Sequence, residues 1–195
     1  VMDYIEGESL DKALKRGEIF SQPQVIRWAN QLLDALNYLH SPIHGNPPRG
    51  FVHSDIKPAN LMRTIQGGIC LIDFNIALAL GEENVIGCSA GYASPEHYGL
   101  DFSIEDEEED ETDITVTLPI GGRYCSDTSG KRIKTPDVRS DIYSTGATLY
   151  HLLNGSRPSR NAKEVVRLSN KKFSPQVVRI ISKAMNPNPD RRYQT

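Results

Sequence analysis

Cysteine is scarce in this sequence, with three among 195 residues: Cys70, Cys88 and Cys125. An odd count without metal-ligand spacing excludes a disulfide framework and a zinc cluster, and it fits a reducing, cytoplasmic setting. Long apolar runs are missing too. Nothing approaches the ~20 residues of a membrane span, and no secretory leader is present. The opening VMDYIEGESL reads as the end of a strand entering a loop, so the expectation is that the natural N-terminus lies elsewhere. Basic residues are not interleaved with aromatics, which argues against nucleic acid as a partner. Residues 101–113 lack positive charge altogether: they hold nine of the 25 acidic residues and none of the 22 basic ones. Elsewhere 16 acidic residues face 22 basic ones, a mildly basic body suited to a phosphate-bearing ligand.

What is present describes a soluble protein with one core, at 38% hydrophobic and 24% charged residues. Ser21-Gln22-Pro23-Gln24 starts a helix, with Ser21 as cap, Gln24 completing a capping box and Pro23 in the first turn. Val25, Ala29, Leu32, Leu33, Leu36 and Leu39 recur at three and four and form its core stripe, up to the stop at His40-Ser41-Pro42. Leu61-Met62 and residues 68–72 (GICLI) read as the strands of a hairpin. DIYSTGATLYHLLNG, opening at Asp141, is apolar nearly all round. That pattern predicts a helix buried through the centre of the domain and ended by Asn154-Gly155. AKEVVRLSN and PQVVRIISKAM predict two further amphipathic helices, and Ile114 to Leu118 alternates like a strand.

The informative stretch is HSDIKPANLMRTIQGGICLIDFN, residues 53–75. It places Asp55, Lys57, Asn60 and Asp73 within 19 residues. Transferring a γ-phosphoryl group demands positioning and charge neutralisation more than a strong nucleophile, so a carboxylate suffices as base. Mg²⁺ prefers hard oxygen ligands of the kind that Asn60 and Asp73 carry.

His53, Asp55, Lys57 and Asn60 follow the H-x-D-x-K-x-x-N spacing of a protein-kinase catalytic loop, with Asp73-Phe74 in place of that family's metal-binding Asp-Phe-Gly. CSAGYASPE, ending at Glu96, resembles the family's activation-segment terminus, and the Asp141 helix resembles its D-x-x-S-x-G helix. On these motifs the chain resembles a eukaryotic-like Ser/Thr protein kinase, in style a bacterial one. The implied fold is mainly α, the kinase C-lobe (an α+β fold): a helical bundle around a buried central helix, with a short hairpin carrying the catalytic and metal-binding loops. Residues 1–195 would be a partial kinase domain, hinge and C-lobe, with an acidic insertion at about 99–136.

The resemblance implies roles residue by residue. Asp55 would be the base, Lys57 would sit against the transferring phosphate, and Asn60 and Asp73 would hold Mg²⁺. The Ser89 hydroxyl would bond the catalytic Asp and Lys, as in members that phosphorylate Ser and Thr. Met2, Asp3 and Ile5 of the hinge, with Met62 and Ile72 beneath, would meet the adenine of ATP; plain core packing accounts for Met62 and Ile72 equally well. His53 is a packing residue against Phe74. His44 falls in a Pro- and Gly-rich loop and is expected to be exposed and idle. Glu96 would pair with Arg192, or with Arg191, and Asp141 would anchor the catalytic-loop backbone.

The departures carry weight as well. Ser54 replaces the usual Arg, which removes the partner of an activation-loop phosphate. Asn75 replaces Gly, and Asn tolerates a positive φ. EDEEEDE at 105–111 is self-repelling and reads as a solvated insertion, or else as a docking segment that favours basic substrates. The Gly-rich loop and strand lysine of the family are not among these residues, so the chain by itself is expected to be inactive. A kinase-like scaffold without transfer and a small-molecule phosphotransferase remain the alternative readings.

Overall fold

The computed structural model describes residues 4–43, 50–74, 78–79, 89–98, 137–159, 168–169 and 171–195. The centre of the fold is α3 (Val138–Asn154), in which twelve of 17 residues are buried. It begins three residues before Asp141, because Asp137 and Ser140 form a capping box. Gly155 ends it in the left-handed conformation, φ 72°, as its sequence predicts. Two helices pack on it. On one side lies α2 (Gln22–His40), burying Val25, Trp28, Leu32 and Leu36. On the other lies α4 (Pro175–Ala184), burying Val178, Ile181 and Ala184.

Two details of α2 differ from expectation. Ser21 is the cap residue, but its side chain makes no capping bond. Pro23 at the second helical position has no N–H to offer it, and the Gln22 side chain turns instead to Ser174, accepting from its N–H at 2.9 Å. Leu33 is 48% exposed, whereas Trp28, outside the expected stripe, is buried. The stripe advances by 3, 4 and 4 from Val25, which places residue 33 about 100° away from Leu32.

The strands are short. β1 (Gly7–Ser9), β3 (Leu61–Thr64) and β4 (Ile69–Leu71) form an antiparallel sheet in the order β1-β3-β4. β2 (Phe51–Val52) pairs with β5 (Leu78–Ala79). The β3–β4 hairpin is the expected one. β1, and α1 (Leu10–Lys15) directly after it, are additions to the expected elements: an edge strand and a short helix that follow Ile5. Gly7 permits that pairing, since a Cβ there would lie 2.0 Å from the Arg63 carbonyl oxygen. Trp28 Nε1 donates to Gly67 O at 2.9 Å and the Ile69 N–H to Gln31 Oε1 at 2.9 Å, tying the hairpin to α2.

Met2, Asp3, His44, Asn75, Cys88, Cys125, residues 114–118 and the acidic insertion lie outside the described residues. So does most of AKEVVRLSN, of which Leu168 and Ser169 are non-helical. No helix among the described residues is long and apolar enough to cross a membrane.

Candidate active site

The loop after β2 is pinned from below. Asp141, fully buried on α3, accepts hydrogen bonds from the His53 N–H at 2.7 Å, the Ser54 N–H at 2.8 Å and the His40 ring at 2.8 Å. About two helical turns onward, Thr148 donates to the Ile56 carbonyl at 3.2 Å. Two anchors on one rigid helix hold the segment between them. Ser54 takes the left-handed conformation there, φ 65°, a cost that the two amide bonds to Asp141 offset. Its hydroxyl is buried with no hydrogen-bond partner among the described residues, and a serine offers no cationic group to a phosphate.

His53 is fully buried. Its ring meets Phe74 edge-on, with centroids 5.0 Å apart. Nδ1 accepts the Asp55 N–H at 3.3 Å, which places the ring proton on Nε2, 3.2 Å from the Ile72 carbonyl. The packing role expected of this histidine is the one observed.

Above this base, three side chains close a ring and a fourth is bonded to it. Lys57 Nζ donates to Asp55 Oδ2 at 2.6 Å and to Ser89 Oγ at 2.9 Å, and Ser89 Oγ donates to Asp55 Oδ1 at 2.6 Å. Asn60 Nδ2 donates to Asp55 Oδ2 at 3.0 Å and to the Asp55 carbonyl at 2.9 Å. Ser89 arrives from 34 residues downstream. Asp55, Lys57 and Ser89 are therefore each in direct contact with the other two, and Asn60 joins them through Asp55.

Asn60 is buried in the 3₁₀ turn Pro58–Asn60, and its amide nitrogen is committed to Asp55. Its Oδ1 makes no hydrogen bond among the described residues. Asp73 is exposed, with φ 67°, and follows Ile72, whose N–H reaches the Asn60 carbonyl at 3.0 Å. That bond sets the two candidate metal ligands on adjoining chain segments. The donor set fits Mg²⁺, which takes one or two protein oxygens and completes its shell with phosphate and water. No group of three or more His, Cys, Asp or Glu side chains capable of holding a metal occurs among the described residues.

The expected nucleotide contacts are less assembled. Ile5 is half-buried and outside any element, and Ile72 is half-buried just past β4. Met62 pairs with Cys70 across the hairpin, opposite in facing to the buried Leu61–Leu71 pair.

The expected Glu96–Arg192 pair is present and buried. Arg192 Nη1 and Nη2 meet the two Glu96 oxygens at 2.6 and 2.9 Å, and Ser140 donates to Glu96 at 2.9 Å. Burial pushes the Glu96 carboxyl upward, but the Arg192 hydrogen bonds and charge outweigh it and hold Glu96 below its usual range. Arg191 is exposed. A second pair was invisible in the sequence: Tyr92 and His151, 59 residues apart, with Tyr92 Oη 2.6 Å from His151 Nδ1. Burial raises the Tyr92 phenol to about 12 and lowers His151, to which Arg157 adds a repulsion. The phenol is accordingly the donor.

Comparison with known proteins identifies the family to which this arrangement belongs. The protein kinase domain profile matches residues 1–114, more than half of the sequence, and the chain belongs to that family. It is similar in particular to bacterial serine/threonine kinases. A probable serine/threonine-protein kinase of Streptomyces coelicolor is 30% identical over 100% of this chain and 26% of its own length. A putative serine/threonine-protein kinase of Mycoplasma pneumoniae is 32% identical over 81% of this chain and 36% of its own. The serine/threonine-protein kinase PknB of Mycolicibacterium smegmatis is 26% identical over 100% and 28%. The chain thus spans between about a quarter and a third of these relatives.

Proposed function

We propose that this chain carries the acceptor side of a protein serine/threonine kinase, transferring the γ-phosphoryl group of Mg-ATP to a Ser or Thr hydroxyl of a protein substrate. The observation that carries this reading is the closed ring of Asp55, Lys57 and Ser89, with Asn60 bonded to Asp55. Asp55 takes the proton of the acceptor hydroxyl as its oxygen bonds to the γ-phosphorus. The bond from that phosphorus to the β,γ-bridging oxygen breaks, and ADP leaves with the electron pair. Lys57 holds the transferring group by charge, and Ser89 keeps Asp55 and Lys57 in register. Asn60 and Asp73 would hold Mg²⁺, which screens the phosphate charge when bound. Met2, Asp3, Ile5, Met62 and Ile72 line the adenine side in this reading. Residues 1–195 then constitute a partial kinase domain with an acidic insertion at about 99–136, and alone they turn over poorly.

The test is incubation of the intact protein with radiolabelled ATP, Mg²⁺ and a generic protein acceptor, followed by identification of the labelled residue. Label on Ser or Thr that vanishes on chelation of Mg²⁺ is the expected result. Label on Tyr refutes the acceptor assignment. A folded protein that binds the nucleotide but labels no protein refutes transfer and leaves a binding scaffold.

A further inference from the structure

A cleft of about 600 Å³ opens directly beside Lys57 and Ser89, bounded by α1 on one side and by the end of α3 on the other. Its charged walls are Lys15, Lys57 and Arg157, against the single carboxylate of Asp11. Asp11 is neutralised by Lys15 at 2.6 Å, and Lys57 by Asp55 at 2.6 Å. Arg157 is exposed and makes no hydrogen bond or ion pair among the described residues, while its aliphatic stem lies against Gly91. The wall between them is closed by His151, whose Nδ1 accepts the Tyr92 proton, so that side adds no negative charge. The cleft next to the transfer ring is left with one uncompensated, positioned guanidinium.

We propose that this cleft is a substrate subsite for an anionic side chain, a carboxylate or a phosphorylated residue, near the acceptor hydroxyl in the substrate polypeptide, with Arg157 setting the preference and Lys15 cancelling the charge of Asp11. The proposal rests on the kinase reading of the adjoining site. Arg157 would grip the anion through its guanidinium fork, and Lys15, by its pair with Asp11, keeps the opposite wall from repelling that anion. A basic side chain would meet like charge in the same place. The preference is opposite to the one the acidic insertion suggests by itself.

The test reads binding, which does not depend on transfer. Fluorescent peptides around one serine carry Gln, Glu, phosphoserine or Lys at each of the flanking positions in turn, and their affinity for the intact protein and its Asp55→Asn variant is measured by anisotropy. At one or more positions Glu or phosphoserine should bind about fivefold tighter than Gln, the scale of a solvent-accessible ion pair. The gain should shrink when salt is raised from about 50 mM to about 500 mM. Phosphoserine well ahead of Glu identifies a phosphorylated partner, and equality identifies a carboxylate. Arg157→Glu combined with Lys15→Glu should turn the preference toward Lys; if that variant is not folded by Trp28 emission, Arg157→Gln should cut the preference to about twofold. Equal affinities everywhere, a Lys preference in the unaltered protein, or no binding of any peptide overturns the proposal. Preference without transfer refutes only the kinase reading, and transfer without preference refutes only this subsite.

Discussion

Arg192 is fully buried, and its guanidinium makes five hydrogen bonds: two to Glu96 and one each to the carbonyls of Asn186, Pro187 and Arg139. It also lies over the Tyr143 ring, 5.0 Å from the centroid. Arg192→Met preserves apolar volume but leaves the Glu96 carboxylate buried with Ser140 as its remaining side-chain donor. Removing one partner of a buried pair costs about 3–5 kcal/mol, because the other charge stays desolvated. With a urea dependence of about 2 kcal/mol per molar, the midpoint should fall by roughly 2 M. The sole tryptophan, Trp28, is buried and reports the transition by its emission. Glu96→Gln with Arg192→Met should be less destabilised than Arg192→Met alone, since no charge is stranded. The pH dependence has a definite sign. Glu96 is held below its ordinary value of 4.5 in the folded protein, so the pair stabilises above about that pH and its contribution is lost as pH falls through the depressed folded value. In Arg192→Met burial acts without that opposition, so the stability gap between the two proteins should narrow as the solution is acidified toward pH 4. A loss under about 1 kcal/mol at pH 7, or a gap that widens in acid, refutes this account of the pair.

Ser89→Ala removes the hydroxyl linking Asp55 to Lys57 and should lower kcat/KM of the intact protein about 10- to 100-fold, the worth of a hydrogen bond to charged groups; Ser89→Thr should restore most of it. Unchanged activity in Ser89→Ala would show that the ring is incidental. Asp141→Asn weakens three hydrogen bonds at once and should cost about 3 kcal/mol in urea, together with faster hydrogen exchange at the His53 and Ser54 amides. Gly7→Ala drives a Cβ into the Arg63 carbonyl and should cost about 1–3 kcal/mol, with the loss of exchange protection confined to β1 and its partner residues in β3.

Much of the site was legible because it is local. His53 to Asn60 fall within eight residues, and the hairpin that follows has ordinary turn and strand residues, so spacing alone predicts their proximity. The buried α3 was readable from its nearly continuous apolar pattern, and Asp141 and Glu96 from the motifs in which they sit. Arg192 over Arg191 was decided by burial. The Tyr92–His151 pair and the Thr148–Ile56 bond were not readable, since each joins residues 59 or more positions apart and nothing in the motifs that hold them says which side chain meets which. The capping box at Ser21 failed for a chemical reason that the sequence does contain: Pro23 removes one of the two donors that a cap side chain can use. β1 escaped notice because Gly-Glu-Ser has poor strand propensity, and pairing with β3 overrides it. The charge of the cleft is a tertiary property, assembled from α1, the catalytic loop and the residues just past α3.

The most direct test of the central claim is the rate of phosphoryl transfer by the intact protein with Asp55→Asn. The amide has the same shape and leaves the Asn60 bond to the backbone carbonyl in place, but it cannot accept a proton. Loss of the base should reduce kcat by about 10²- to 10⁴-fold, with the urea midpoint and Mg-ATP affinity nearly unchanged. Activity within a few-fold of the unaltered protein would contradict the assignment of Asp55 as the base.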